Sequence, residues 1–227
     1  MSDAVAMREL HEQYTAKVNA DPELKAYRDW IERNMFGFGE RSFLWMWKNI
    51  VDEMPHEFTF LEVGVFRGQI LGLVKLLADR CGKIVHRIGV TPLDESDGHW
   101  KSNYAEDIEI LHQTFLLKND YTIIKGLSTH PAIIAQVRKV NADVVYIDGG
   151  HDYQTVVSDL THYPKLVKKG GILVIDDCNN AFDMPDGYFR GIESVSKAVD
   201  DVMPPVTQNK DWAFRYNLVH NRVLQRI

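Results

Sequence analysis

Cysteine is nearly missing from this chain, which has only Cys81 and Cys178. Two cysteines in so long a chain do not make a disulfide scaffold, and a reducing compartment is expected. No apolar run approaches the roughly 20 residues that a membrane-spanning helix needs. The first residues, Met1-Ser2-Asp3-Ala4-Val5-Ala6-Met7-Arg8, show no basic region followed by an apolar stretch. No secretion signal is therefore expected, and cytoplasm is the default. Positive charge is in deficit: 26 Lys and Arg stand against 32 Asp and Glu, a formal net charge of −6. Such a balance argues against a nucleic-acid partner, which demands a basic face. No membrane partner is expected either.

What is present is an ordinary globular interior. Hydrophobic residues are 45% of the 227. The length suits one large α/β domain with a small helical appendage. Residues 4 to 34 read as one or two helices, and 41 to 54 as another, with Phe43, Trp47, Ile50, Val51 and Met54 at helical spacing. Pro55 closes that region, so 1–55 is taken as a helical extension and 56–227 as the main domain.

From residue 58 the pattern changes to short β-rich runs alternating with helices. Strands are expected at 58–63, 83–90, 121–125, 143–148 and 172–176. Helices are expected at 69–79, 104–117, 130–140, 153–168 and 191–202. The tail, 212–219 and 222–227, reads as two strands around an Asn-containing turn. Alternation of this kind predicts a doubly wound, mostly parallel sheet with an antiparallel C-terminal hairpin. The run Val144-Val145-Tyr146-Ile147 lacks polar alternation, as a strand covered on both faces should.

Ligands of such sheets lie outside the carboxyl ends of the strands. The first strand ends Glu62-Val63-Gly64-Val65-Phe66-Arg67-Gly68. Glycines there permit a sharp turn and close approach of a ligand. The Gly-x-Gly-x-x-Gly of a nicotinamide site is missing, and the Glu62 carboxylate is a poor neighbour for a pyrophosphate. It suits an ammonium or hydroxyls, hence a cofactor with a cationic amino-acid part. Alone, this loop reads equally well as a turn without a ligand.

The fourth strand ends Asp148-Gly149-Gly150-His151-Asp152, and the fifth Asp176-Asp177-Cys178. A charge ending a buried run is costly without a partner. Adjacent carboxylates repel, and a cation relieves that most easily. Asp148, Asp176 and Asp177 at neighbouring strand ends suit a hard ion, magnesium first and manganese or calcium next. His151 can exchange a proton near neutral pH. Asp152 reads as a helix cap, and Cys178 as a bystander. After the third strand, Ser128 either touches an adenine ring or caps the next helix. Thr91 occupies the place where a ribose-binding acid is sought, and Asp94 comes slightly late. Phe36, Phe38, Trp45 and Trp47 are expected mainly in the core. The loops with His99-Trp100 and Phe182 to Phe189 are candidate covers for the site.

Taken in order, Glu-x-Gly-x-x-x-Gly, Tyr-Ile-Asp-Gly-Gly-His-Asp-Tyr and Gly-Gly-x-x-x-x-Asp-Asp resemble the macrocin O-methyltransferase-like group of class I methyltransferases. The late Gly191-Ile192-x-x-Val195 adds to it, and the resemblance spans roughly residues 58 to 202. It implies an S-adenosylmethionine-dependent enzyme, commonly using Mg²⁺, that methylates a hydroxyl of a small molecule such as a sugar or polyphenol. On this resemblance, Glu62, Gly64, Phe66 and Gly68 hold the cofactor's amino-acid end, with Thr91, Ser128 and Asp148 at its other contacts. Asp148, Asp176 and Asp177 hold the metal. A more distant similarity to catechol O-methyltransferases makes His151 the base. The rival readings are an NAD(P)-dependent oxidoreductase and a non-methylating relative on the same fold. The N-terminal helices are candidates for a lid or a homo-oligomer surface.

Overall fold

The computed structural model describes residues 3–93, 103–180, 189–203 and 210–227. Three helices come first: α1 (Asp3–Ala20), α2 (Pro22–Asn34) and α3 (Ser42–Glu53). Asp21 caps α2 by accepting from the backbone N–H groups of Glu23 and Leu24. Pro22 occupies the first turn, where no N–H is required.

Strands and helices then alternate. They are β1 (Glu57–Val63), α4 (Gln69–Arg80), β2 (Ile84–Thr91), α5 (Tyr104–Thr114), β3 (Tyr121–Lys125), α6 (Pro131–Val137), β4 (Ala142–Ile147), α7 (Tyr153–His162), β5 (Val167–Ile175) and α8 (Glu193–Val202). A hairpin of β6 (Trp212–Leu218) and β7 (Asn221–Arg226) follows. The seven strands lie in the order β3-β2-β1-β4-β5-β7-β6. Pairing is parallel from β3 to β5. β7 runs antiparallel to both β5 and β6. This is the doubly wound, mostly parallel sheet with an antiparallel edge that the sequence implies.

β4 is buried at every position, and its residues alternate between two apolar clusters. Val144 and Tyr146 join the cluster containing α1 to α5. Val145 and Ile147 join the one containing α6 to α8. The N-terminal helices share in the first cluster: the Trp47 ring of α3 meets Phe60 at 5.6 Å and Tyr146 at 5.1 Å, both edge-on. α3 thus buttresses the strand ends where the site forms. Among the described residues, no helix is long and apolar enough to cross a membrane.

Three local expectations are corrected. The helix expected through Lys168 stops at His162, because Pro164 cannot donate the next helical bond and opens a short 3₁₀ turn. β5 begins at Val167, ahead of Gly170-Gly171, and a register shift against β4 between Ala142 and Val144 absorbs the extra residues. In the hairpin, the left-handed turn residue is Val219 (φ 51°), not an asparagine. Asn221 instead starts β7. The loops holding Asp94, His99-Trp100 and Phe182 lie outside the described residues.

Candidate functional site

Backbone bonds carry the ladder just past the strand ends and fix the loops there. Gly64 N–H donates to Val90 O (2.9 Å), Asp148 N–H to Val63 O (2.8 Å) and Asp176 N–H to Ile147 O (3.0 Å). The acids of β1, β4 and β5 are therefore held side by side. Gly64 adopts φ +99°, and a Cβ there would lie 1.7 Å from the Asp148 carbonyl oxygen. Only glycine lets these two loops touch.

The strand ends open into a cleft of about 370 Å³. Glu62, Gly64 and Phe66 line one end, Asp148, His151, Asp176 and Asp177 the other. Gly37 to Glu40, between α2 and α3, and Phe43 of α3 make a wall, with Phe189 nearby. Phe38 stacks on Phe66 at 5.5 Å and is 59% exposed, so it belongs to the cleft and not to the core. Phe36 and Trp47 are core residues, as expected.

Glu62 is 3% exposed, and its Oε2 has no hydrogen-bond partner. Burial pushes its pKa up to about 8, against a hydrogen bond from the Leu71 backbone. Asp148 is also raised well above the carboxylate range, by burial and then by the charges of Asp176 and Asp177. Asp176 is the exception. Burial opposes its charge, but His220 and Tyr146 hold it below the ordinary value. Its Oδ1 accepts from His220 Nδ1 (2.6 Å), Asn221 Nδ2 (2.9 Å) and Asp177 N–H (2.9 Å). Its Oδ2 accepts from the Tyr146 hydroxyl at 2.6 Å. Burial disfavours the charged form of His220, yet the Asp176 and Asp177 carboxylates raise its pKa to about 10.

The structure brings the three acids together but presents them differently. Asp148, His151 and Asp177 each offer a ligand atom within 4.8 Å of the others. A second such group is Asp176, Asp177 and His220. Hard oxygen donors and displaced carboxyl pKa values fit a divalent cation. Asp176 is the acid most fully engaged by the protein itself.

Gly68, Thr91 and Ser128 do not line this cleft. Gly68 precedes α4 at φ +85°. Thr91 is buried and accepts from Leu93 N–H. The Ser128 carbonyl accepts from the Tyr163 hydroxyl. Asp152 caps α7 by accepting from Thr155 N–H, as expected. Cys178 is buried, and burial raises its thiol to about 12, in keeping with a bystander.

Sequence reasoning missed His220, Asn221 and the donor role of Tyr146. A signal existed for the first two. An antiparallel strand placed beside β5 begins at the carboxyl end of β5, and Arg222 pairs with Ile175. The hairpin turn thus lands on Asp176 and Asp177.

Comparison with known proteins identifies the fold. The family described as "Methyltransferase domain" matches residues 61–178, more than half of the chain. The uncharacterized protein R132 of Acanthamoeba polyphaga mimivirus is 26% identical over 207 residues, covering 88% of this chain and 85% of its own. An O-methyltransferase of Bacillus cereus, solved with SAH, superposes with a TM-score of 0.61 at 11% identity, over 96% of this chain and 99% of that one. The MycE methyltransferase of the mycinamycin biosynthetic pathway, solved with Mg, SAH and mycinamycin VI, gives 0.57 at 16% identity, over 91% and 55%. Its match through the strand-end motifs and its seven-stranded sheet make this chain a member of the methyltransferase domain family, on the fold of the class I O-methyltransferases.

Proposed function

We propose that this chain is an S-adenosylmethionine-dependent O-methyltransferase of the macrocin O-methyltransferase-like kind, acting on a hydroxyl of a small molecule. The observation that carries the reading is the buried Glu62 carboxyl, unpartnered at Oε2, in the same cleft as the acid cluster. A group so buried and so short of partners calls for a donor from a ligand. The cofactor's ammonium is such a donor, and would restore the Glu62 charge. Gly64 leaves room for the amino-acid end, and Phe66 supplies an apolar side. Gly68, Thr91 and Ser128, at the neighbouring turns, are assigned to the rest of the cofactor. SAH in the Bacillus cereus enzyme and in MycE supports this assignment.

Asp148 and Asp177, with Asp176 beside them, would hold a hard divalent ion such as Mg²⁺. When bound, that ion stabilises an acceptor alkoxide by lowering the hydroxyl's pKa. The Mg in MycE supports the choice. His151, half exposed at the cleft and 3.3 Å from Asp177, takes the acceptor's proton. The rest of the chain's part is positioning: the cleft walls hold the acceptor oxygen toward the cofactor end and exclude water. A sugar or polyphenol with neighbouring hydroxyls is the acceptor class.

The test is calorimetric titration with S-adenosylhomocysteine, with and without Mg²⁺, beside NADH. Binding of the first and none of the second is expected. No binding of S-adenosylhomocysteine in either condition overturns the cofactor assignment.

A further inference from the structure

Two phenylalanines stand two residues apart between α2 and α3, and they behave oppositely. Phe36 is 6% exposed and meets Trp30 edge-on at 4.5 Å. Phe38 stands out in the cleft, with one face on Phe66 at 5.5 Å. Packing accounts for Phe36. It does not account for Phe38, whose apolar ring stays largely in water.

The segment that carries Phe38 is held firmly. The buried Arg28 donates from Nη1 to Phe38 O (3.1 Å) and from Nη2 to Gly39 O. Arg67 reaches across from the loop after β1, and its Nη1 donates to Met35 O at 2.7 Å. Its Nε and Nη2 donate to the two Asp107 oxygens at 2.7 and 3.1 Å. The same guanidinium lies 3.9 Å from the centre of the Phe36 ring. Gly37 rests directly on the start of α4, where a Cβ would lie 1.5 Å from Gln69 Oε1. Two arginines and a close backbone approach thus fix an open ring in place.

The cleft around that ring has two chemistries. Asp148, His151 and Asp177 line it and suit hydroxyls. Phe189, half exposed, lines it with Phe38 and lies edge-on to His220 at 5.0 Å, beside those acids. A sugar carries hydroxyls around its whole ring, and would lay some of them on phenyl faces that cannot bond to them. A flat aromatic ring with its hydroxyls on one edge turns that edge to the acids and its face to the phenyl rings, where offset stacking is favourable. We propose that Phe38 is a specificity-determining residue: its open face stacks on the acceptor ring and selects a planar aromatic diol over a saturated one. This rests on the reading of the cleft as the methyl-transfer site, and narrows its acceptor class to polyphenols.

The test compares catechol with cis-cyclohexane-1,2-diol, which share neighbouring hydroxyls and ring size and differ in the face they present. Each is titrated into the full chain with S-adenosylhomocysteine and Mg²⁺ present, and saturation-transfer NMR reads even weak binding. The chains are the native protein, Phe38→Ala and Phe38→Trp. Both diols meet the same acids and the same ion in every chain, so a change in their affinity ratio between chains belongs to residue 38. Catechol is expected to bind the native chain more tightly than the saturated diol. In Phe38→Ala the ratio is expected to fall about tenfold, the scale of a stacked aromatic pair, and Phe38→Trp to restore it. S-adenosylhomocysteine affinity should stay within about threefold of native in both variants.

A ratio unchanged in Phe38→Ala overturns the proposal. So does a native chain that binds the saturated diol as well as catechol, or binds neither. A Phe38→Ala chain that loses S-adenosylhomocysteine and catechol alike also overturns it, by placing Phe38 at the cofactor. Phe38 stands outside the core, so Phe38→Ala should fold as the native chain does, and its denaturation midpoint checks this. Failure of the native chain to bind S-adenosylhomocysteine sinks the methyl-transfer reading. The diol ratios, repeated without it, then still decide whether Phe38 holds an aromatic ring.

Discussion

The Tyr146 hydroxyl donates to Asp176 at 2.6 Å, across the ends of two neighbouring strands. The same oxygen is 3.0 Å from Asp148 Oδ2. A phenol has one proton to give. With that proton committed to Asp176, the Asp148 contact is satisfied best when Asp148 itself is protonated. Burial and the charges of Asp176 and Asp177 push the Asp148 pKa in that direction.

Loading the site with a divalent cation should therefore release a proton, because a metal-bound carboxylate must be ionised. Calorimetry of Mg²⁺ or Mn²⁺ binding in buffers of different ionisation enthalpy measures this. A heat of binding that varies with the buffer's ionisation enthalpy is expected. Affinity should rise with pH, since the proton and the cation compete for Asp148. A heat that is independent of buffer would show that Asp148 is already charged.

Glu62→Gln should trade binding for stability. The folded pKa of Glu62 is raised by burial from 4.5 to about 8. Below about pH 4.5 the carboxyl is protonated in folded and unfolded chains alike, and costs nothing through linkage. As pH rises toward 8 the unfolded chain gains charge that the folded one resists, so native stability drains away. The ligand-free variant should exceed the native chain by on the order of 3 kcal/mol at pH 7, with the gap closing at low pH. Urea denaturation across pH 4.5 to 8 measures it. S-adenosylhomocysteine affinity should fall at least tenfold, and an unchanged affinity would detach Glu62 from the cofactor.

Much of this site was legible because its acids end apolar runs. Asp148 follows Val144 to Ile147, and Asp176 follows Ile172 to Ile175, so each had to sit at a strand end where ligands bind. His220 was illegible for the opposite reason. It lies in a short turn, with no apolar run to aim it, and only the order of strands across the sheet brings it to Asp176. Tyr146 was hidden inside its run: periodicity marks it as core, and its ring is core, while the hydroxyl alone reaches the acids. Phe38 shows the limit of composition, since an aromatic near Gly37 and Gly39 can pack inward or stand on a cleft wall. The end of α7 was obscured by a lysine-rich stretch compatible with helix until Pro164 is weighed.

Gly64→Ala should disable the chain locally. A methyl group there would sit 1.7 Å from a backbone oxygen that cannot swing aside, at a φ of +99°. The loops after β1 and β4 would have to part, and with them Glu62 and Asp148. A loss of more than about 3 kcal/mol is expected, from strain together with the clash. Denaturation midpoints and S-adenosylhomocysteine titration test this together. A stable variant that still binds would mean that the two loops need not touch.

Asp159 of α7 supplies the control for Glu62. It is 1% exposed. Burial raises its pKa from 3.8 to about 7, with the Ser128 hydroxyl pulling the other way and the Asp152 charge adding to the rise. The sign is that of Glu62 and the window lies slightly lower: stability is lost as pH climbs from about 4 to 7. Asp159→Asn should stabilise the ligand-free chain at pH 8 by on the order of 2 kcal/mol, and have little effect at pH 4. Asp159 lies behind Gly149, beside Ser128, and outside the cleft that Glu62 lines, so Asp159→Asn should lower S-adenosylhomocysteine affinity less than Glu62→Gln does. Paired denaturation and binding curves for both variants decide the point. If both lose affinity alike, the Glu62 effect is a general response to altering a buried acid, and the ammonium assignment loses its support.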